Sequence, residues 1–229
     1  MSTIAILPVK SFGAAKQRLG STLGAGSRQA LAQAMFSDVL SSLRRVPGLD
    51  SVAVVTADRV AEAAALGERV QVLGDTAQAG QSAAALIGID YALASGFDRV
   101  LLVPGDTPLL DPGEVAALLR RGDEDGLGVV IVPDRHGAGT NALLLSPADA
   151  IEPAFGPGSR ERHQEAARTA GVSCAVERVP TLELDVDTGQ DLELLAATLE
   201  GRRGQAPSTR GALRQLDRAQ AWRRPPVPA

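Results

Sequence analysis

An α/β fold, with a mostly parallel sheet and helices on both faces, is the architecture this sequence predicts, and three observations predict it. Strand-like apolar runs alternate with helical patterns almost from the first residue, as consecutive β-α units require. Aromatic residues are 3% of a chain whose hydrophobic fraction is 45%. Its core must therefore be built from Ala, Val and Leu, which suits helices layered on a sheet better than a β-sandwich or a base-stacking RNA platform. The chain has 229 residues, the size of one domain with or without an appendage.

Residues 3–8 form a continuous apolar run, as expected of a central strand buried on both faces. A polar loop containing Lys and Arg spans residues 9–26. A helix is expected from about Ser27, its N-cap, because Leu31, Met35, Val39 and Leu43 recur every four residues beside Ala34 and Leu40. The cycle repeats through a strand at 51–56, a short helix at 61–66, a strand at 70–73, a helix at 81–95 with Leu86, Ile89 and Leu93 turned inward, and a strand at 99–104. Asp111-Pro112-Gly113-Glu114 combines a cap, a proline at the first helical position and a carboxylate at the third, which is a helix start. Strands at 129–133 and 142–146, a helix at 159–170, a strand at 173–178 and a helix at 189–200 complete a body of residues 1–200.

Residues 201–229 carry seven arginines against one acid, Asp217, and have no sustained apolar face. The expectation is a disordered basic tail that takes no part in the reaction. The alternative is a short helix that docks Leu213, Leu216 and Trp222 on the body, or on a second subunit in a homodimer. The net charge of −4 divides into +6 on this tail and −10 on the body. So acidic a body is a poor partner for nucleic acid. The apolar run at residues 4–9 is too short for a signal or a membrane span, which leads to the expectation of a cytoplasmic protein without membrane association. A single Cys174 excludes a disulfide framework and a multi-cysteine zinc site, and His136 and His163 leave little room for an all-histidine one.

Open parallel sheets bind ligands outside the carboxyl ends of their strands, so the loops after strands are where chemistry is sought. The first loop places Lys10, Lys16 and Arg18 within nine residues. These cations suit a polyphosphate, although a solvated basic loop has the same composition. The loop is neither a Walker loop nor a G-x-G-x-x-G fingerprint. Asp106, in Pro104-Gly105-Asp106-Thr107-Pro108 after a buried strand, either caps a turn or ligates a hard cation such as magnesium. Asp185 and Asp187 point the same way if the segment is extended; both are solvated, or one or both complete a metal site with Asp106, with Asp187 binding metal while Thr188 caps the last helix. In Gly137-Ala138-Gly139-Thr140-Asn141 and Phe155-Gly156-Pro157-Gly158-Ser159, glycines permit close backbone approach, and Gly-Ser at a helix start offers free N–H groups to an anion. Ordinary loop punctuation explains each segment alone. Arg162 and His163 belong to the exposed face of that helix or, for His163, to a substrate contact.

Taken in order, Pro-Val-Lys-x5-Lys-x-Arg-Leu from Pro8, Gly-Asp-x-Pro-Leu-Leu from Gly105, Gly-Thr-Asn from Gly139, Phe-Gly-x-Gly-Ser-x-x-x-His from Phe155 and Asp-Val-Asp-Thr from Asp185 resemble the guanylyltransferases of coenzyme F420 biosynthesis. These belong to the nucleotidyltransferases of Rossmann-like, glycosyltransferase-A-like fold, which include the molybdenum-cofactor enzymes. The resemblance covers about residues 4–195. It implies an enzyme that uses Mg2+ to join GTP to a phosphorylated three-carbon acid. Phosphoenolpyruvate is the choice for an Ala- and Arg-rich composition like that of a high-GC bacterium, with 2-phospho-L-lactate or 3-phospho-D-glycerate as alternatives. It implies that Asp106 and Asp187 hold the metal with Asp185 beside them, that Lys10, Lys16 and Arg18 handle the GTP phosphates, and that Gly80 lies near guanine. Thr140, Gly156 and Ser159 would hold the acid, partly through backbone groups; Lys16 and Asp106 would be the catalytic pair. The chain departs from the superfamily in having the lysine loop in place of Gly-x-Gly-Thr-x-Met, and Gln81-Ser82 where Asn commonly follows Gly80. A molybdenum-cofactor-type nucleotidyltransferase and a non-catalytic GTP-binding module are the competing readings.

Overall fold

A computed structural model describes residues 1–202 and 204–219. Its centre is β1 (Thr3–Val9), flanked by β2 (Ser51–Thr56) and β4 (Arg99–Leu102), with β3 (Gln71–Gly74) beyond β2. All of these neighbours run parallel. The sheet continues through β6 (Thr140–Leu145), β5 (Val129–Pro133) and β7 (Cys174–Val176), in the order β3-β2-β1-β4-β6-β5-β7. Only β6 runs against its neighbours, antiparallel to β4 and β5. The connection from β5 to β6 is too short for a helical crossover, so the chain turns back as a hairpin. The sheet is thus mostly parallel, as the alternation of patterns predicts.

The helices are α1 (Ala25–Leu43), α2 (Arg59–Gly67), α3 (Gln81–Ala94), α4 (Pro112–Glu124), α5 (Ser159–Ala170), α6 (Gly189–Gly201) and α7 (Pro207–Arg218). Side chains alternate along β1: Ala5, Leu7 and Val9 join a core with Phe36, Val39 and Leu118 on one face, and Ile4 and Ile6 join a core with Ala85, Ile89 and Leu143 on the other. Asp111 caps α4, with Pro112 in its first turn, as the sequence predicts.

Two helix expectations are corrected. The first helix begins at Ala25 with Gly24 as its cap, not Ser27, which lies within the first turn. In α3, Leu93 is exposed and Leu86 only partly buried, while Ala84, Ala85, Gly88, Ile89 and Ala92 face the sheet. The largest residues misled the periodicity because a face of small residues lets this helix lie close to β1. A Cβ on Gly88 would stand 2.3 Å from Ile6 Cγ2.

The expectation of a disordered tail also gives way. Residues 207–218 form α7, with Leu213 and Leu216 buried in a third core beside Leu31, Met35, Leu195 and Leu199. On its own the tail has too few apolar residues for a stable helix, but α1 and α6 present a ready surface for those few. Asp38 of α1, 3% exposed, accepts the first-turn N–H groups of Ser208 (3.0 Å) and Thr209 (2.7 Å). Position 200 is therefore not a domain boundary. Residues 220–229, with Trp222, lie outside the described residues. Among the described residues no helix is long and apolar enough to cross a membrane.

The packing of α3 on β1 makes Gly88→Ala costly: the added methyl must displace Ile6, and a loss of about 1–3 kcal/mol is expected for such overpacking. Urea unfolding of the variant checks this, and unchanged stability would contradict the close approach.

Candidate active site

The chain adds β2 and β3 on one side of β1 and then crosses to place β4 on the other. Strand order thus reverses between β1 and β4, and ligand crevices in open sheets lie outside the carboxyl ends of the strands at such a switch point. Here the loops after β1 and β4 meet over that end, Lys16 against Asp106. A cleft of about 520 Å3 lies there. Lys10, Lys16 and Arg18 from the first loop, Gly80 at the head of α3, Asp106 after β4 and Asp187 ahead of α6 all line this cleft. Six positions from four separate segments are thus brought together.

Lys16 is the centre of the arrangement. Its side chain is 7% exposed, and its ammonium donates to Asp106 Oδ2 and, at 2.9 Å, to Asp187 Oδ1. Burial by itself would lower its pKa, but the negative charges of Asp106 and Asp187 and the hydrogen bonds to them prevail and hold it above the ordinary lysine value. The backbone at Lys16 is left-handed, φ 57°, a conformation that costs a non-glycine residue about 1 kcal/mol and is kept by the contacts on either side. Upstream, the Phe12 N–H donates to Asp58 (2.9 Å), and the Thr56 hydroxyl donates to the Val9 carbonyl (2.9 Å). Downstream, Leu19 is buried in the third core.

Asp106 is tied to the last segment by the Val186 N–H, which donates to its carbonyl at 3.3 Å. Its Oδ1 is buried without a hydrogen-bond partner among the described residues. An orphaned carboxylate oxygen is costly, and beside a second carboxylate it has the chemistry of a hard-cation ligand. Among the described residues no three His, Cys, Asp or Glu side chains are grouped to hold a metal. The pair therefore fits a magnesium ion that takes its remaining ligands from phosphates and water rather than from an all-protein cage.

Asp185 is raised to about 6, first by burial, then by the charge of Asp106 and with less effect by Asp187, against a hydrogen bond from Asn141. The Asn141 amide donates to Leu182 O (2.9 Å), Glu183 O (3.1 Å) and Asp185 Oδ1 (3.1 Å), so one side chain fixes the course of the acidic segment. Asp187 is set by Asp191, whose Oδ2 accepts the N–H groups of Asp187 (3.1 Å) and Thr188 (2.7 Å) within a capping box. Arg135 pairs with the other oxygen of Asp191 at 2.5 Å. Thr188 caps α6, as expected.

Thr140, Gly156 and Ser159 form a separate group beside the cleft rather than part of its lining. Thr140 and Ser159 are buried. The N–H of Ser159 donates to Gly156 O (3.0 Å) and that of Arg160 to Ala138 O (3.2 Å), so these two N–H groups, which the sequence suggests are free, close the turn and tie it to the loop between β5 and β6. Gly156 and Gly158 take positive φ, 107° and 71°, which glycine alone adopts without strain. Arg162 ties the turn by donating to Ala154 O (2.8 Å) and Phe155 O (3.1 Å). The Phe155 N–H donates to Ser82 Oγ at 2.9 Å, which joins this loop to the head of α3.

His163 is fully buried, not on the exposed face of its helix. Its Nε2 accepts the Ala154 N–H (2.8 Å), so the proton of the neutral ring lies on Nδ1, which donates to the Thr140 hydroxyl (3.0 Å). Burial, and then the charge of Arg162, lower its pKa to about 4. Its part is to brace Thr140 and the Phe155 turn. Sequence reasoning missed Asp58, Arg135 and Asp191, and named Asn141 only within the Gly-Thr-Asn segment, without its part in holding the acidic segment. Asp58 before α2 and Asp191 three residues after Thr188 had legible capping signals, whereas the partners of Asn141 and Arg135 are far away in sequence and left none.

Residues 3–217 match the family model described as "Guanylyl transferase CofC like". A phosphoenolpyruvate guanylyltransferase of Conexibacter woesei is 50% identical over 216 residues, covering 94% of this chain and 97% of that protein. A 2-phospho-L-lactate guanylyltransferase of Methanothermobacter thermautotrophicus is 35% identical over 192 residues, covering 84% and 83%. Among solved structures, a protein of Desulfovibrio desulfuricans G20 assigned to the nucleotide-diphospho-sugar transferases superposes with a TM-score of 0.75 at 22% identity, over 95% of this chain and 96% of that one, a likeness of fold. The chain belongs to the CofC-like guanylyl transferase family and is a nucleotidyltransferase.

His163 gives the stability a defined pH dependence. With a folded pKa of about 4 against an ordinary 6.5, its contribution is full above pH 6.5. It falls by up to about 1.4 kcal/mol per unit as the pH drops toward 4, because only the unfolded chain then takes the proton. Urea unfolding at pH 7 and pH 4.5 should show wild type losing more stability than His163→Gln; equal losses would contradict the assignment.

Proposed function

We propose, from that family membership, that the chain transfers the guanylyl group of GTP to phosphoenolpyruvate, giving enolpyruvyl-diphospho-5'-guanosine and pyrophosphate as a step toward coenzyme F420. The observation that carries this reading is the convergence of Lys10, Lys16, Arg18, Asp106 and Asp187 on one cleft at the switch point of the sheet. Lysine and arginine are the side chains that match a polyphosphate, and paired carboxylates suit a hard cation shared with it.

In this reading a phosphate oxygen of the acid attacks the α-phosphorus of GTP. The bond from that phosphorus to the oxygen bridging to the β-phosphate breaks, and pyrophosphate leaves with the electron pair. The second pKa of a phosphate monoester is about 6, so the nucleophile is already ionised at neutral pH and no general base is required. Magnesium, held by Asp106 and Asp187, would supply charge neutralisation to the triphosphate and the leaving pyrophosphate. Lys16 adds a fixed positive charge where negative charge builds up, and Lys10 and Arg18 orient the triphosphate for in-line displacement. Gly80 leaves room for guanine at the head of α3. Thr140, Gly156 and Ser159 would shape the neighbouring acid site through their backbone, since the Thr140 and Ser159 side chains are both buried and Gly156 has none.

Phosphoenolpyruvate is preferred as acceptor because the Conexibacter woesei relative bears that name at 50% identity. The second reading, 2-phospho-L-lactate, is supported by the name of the Methanothermobacter thermautotrophicus relative at 35%.

GTP supplied in parallel with phosphoenolpyruvate, 2-phospho-L-lactate and 3-phospho-D-glycerate, with pyrophosphate release as the readout, should give turnover with phosphoenolpyruvate foremost. Tight GTP binding without turnover of any acid would instead identify a non-catalytic module. Asp106→Asn should lower kcat by about 100-fold or more, the size of a lost transition-state charge contact; near wild-type rates with magnesium present would refute its role. Lys16→Ala should depress kcat/KM for GTP, and an unchanged value would remove Lys16 from the site.

A further inference from the structure

The third core lies directly behind the reaction centre, and its composition shows how. It contains Leu19, three residues after Lys16; Leu109, three after Asp106; and Leu184 and Val186, which flank Asp185 and adjoin Asp187. These residues pack with Leu192, Leu195 and Leu199 of α6 and with Ala206, Leu213 and Leu216 from the last segment. All three strands of chain that meet at Lys16 thus have their apolar anchors in one cluster, and the C-terminal segment closes it.

Polar contacts make the same connection independently. The Gln205 side-chain amide donates to the Leu109 carbonyl, at the end of the turn that begins with Asp106. Gln205 is itself placed by Arg210, whose Nε donates to the Gln205 carbonyl at 2.9 Å while its Nη2 donates to the carbonyls of Leu199 and Arg202. Ala206, 5% exposed, takes a left-handed backbone, φ 48°. A non-glycine residue keeps such a conformation only where the surrounding structure over-determines it; here the docking of α7 on Asp38 and the third core does so.

We propose that residues 204–218 are a positioning element of the reaction centre, with Gln205 the positioning residue that fixes the Asp106 turn through the Leu109 carbonyl, and with Leu213 and Leu216 completing the floor beneath Lys16, Asp106 and Asp187. The segment touches no substrate and acts through the turn it holds. This replaces the expectation of a tail outside the reaction. It rests on the proposed guanylyl transfer only for its kinetic consequence, because the structural consequence is read without substrate.

Gln205→Met tests the proposal, since it keeps the length of the side chain and removes its amide: the donor to Leu109 and the acceptor of a long 3.5 Å contact from the exposed Arg202. A hydrogen bond of ordinary net strength converts to about a fivefold effect. Gln205→Met should therefore lower kcat about fivefold, leave KM for GTP within about twofold, and raise amide hydrogen exchange at residues 107–110 without raising it in β1 and β2. Leu216→Ala should raise exchange at both 107–110 and 184–187. Unchanged exchange at 107–110 in both variants would overturn the proposal, as would a chain ending at Gly201 that folds and retains wild-type kcat. If wild type turns over no acid, the functional reading fails, while the exchange experiment still decides the positioning claim.

Discussion

One buried ammonium between two carboxylates is the interaction on which the rest of this structure depends. Lys16 comes from the loop after β1, Asp106 from the segment after β4, and Asp187 from the approach to α6. A lysine with a side chain only 7% exposed is tolerated when opposite charges offset its desolvation. Three segments far apart in sequence must therefore be held in register. The left-handed backbone of Lys16, the Asp58 and Thr56 clamps on the first loop, the Asn141 amide and the Asp191 cap all serve that register. The same concentration of carboxylates and cations at one point is what a polyphosphate substrate would exploit.

The sheet provides the place and the cores provide the stiffness. Strand order reverses between β1 and β4, and the cleft lies over the carboxyl ends of these strands, walled by the first loop, the head of α3 and the segment after β4. Two cores cover the faces of the sheet and the third lies under the site segments. A small-residue face on α3 brings that helix close to β1, which sets the position of Gly80 at the helix head. The division of labour suits a reaction that needs no thiol and no imidazole base, and the one buried histidine is kept neutral as a brace.

Local signals in the sequence located the strands, most helices and five of the six candidate residues in the cleft, because each is marked by its neighbours; Gly80 came from the family resemblance alone. Apolar runs mark buried strands, Asp111-Pro112 marks a helix start, and charged residues directly after strands mark the ligand end of the sheet. Other features failed for identifiable reasons. The inward face of α3 was misjudged because alanine and glycine, not leucine, made it. His163 turned inward because its partners, Thr140 and the Ala154 N–H, could not be read from its own helix. Residues 207–218 looked unstructured because the surface that orders them belongs to α1 and α6. Asn141 and Arg135 act through partners more than 40 residues away, and no local pattern announces such pairs.

In the proposed reaction Asp106 and Asp187, held by Lys16, would handle a metal-bound nucleotide. Electron paramagnetic resonance of Mn2+ titrated into the protein with GTP tests it most directly, with Asp106→Asn/Asp187→Asn as the comparison. A protein-bound Mn2+ signal that depends on GTP in wild type and is lost in the double variant is expected. An undiminished bound signal in the double variant would contradict that role.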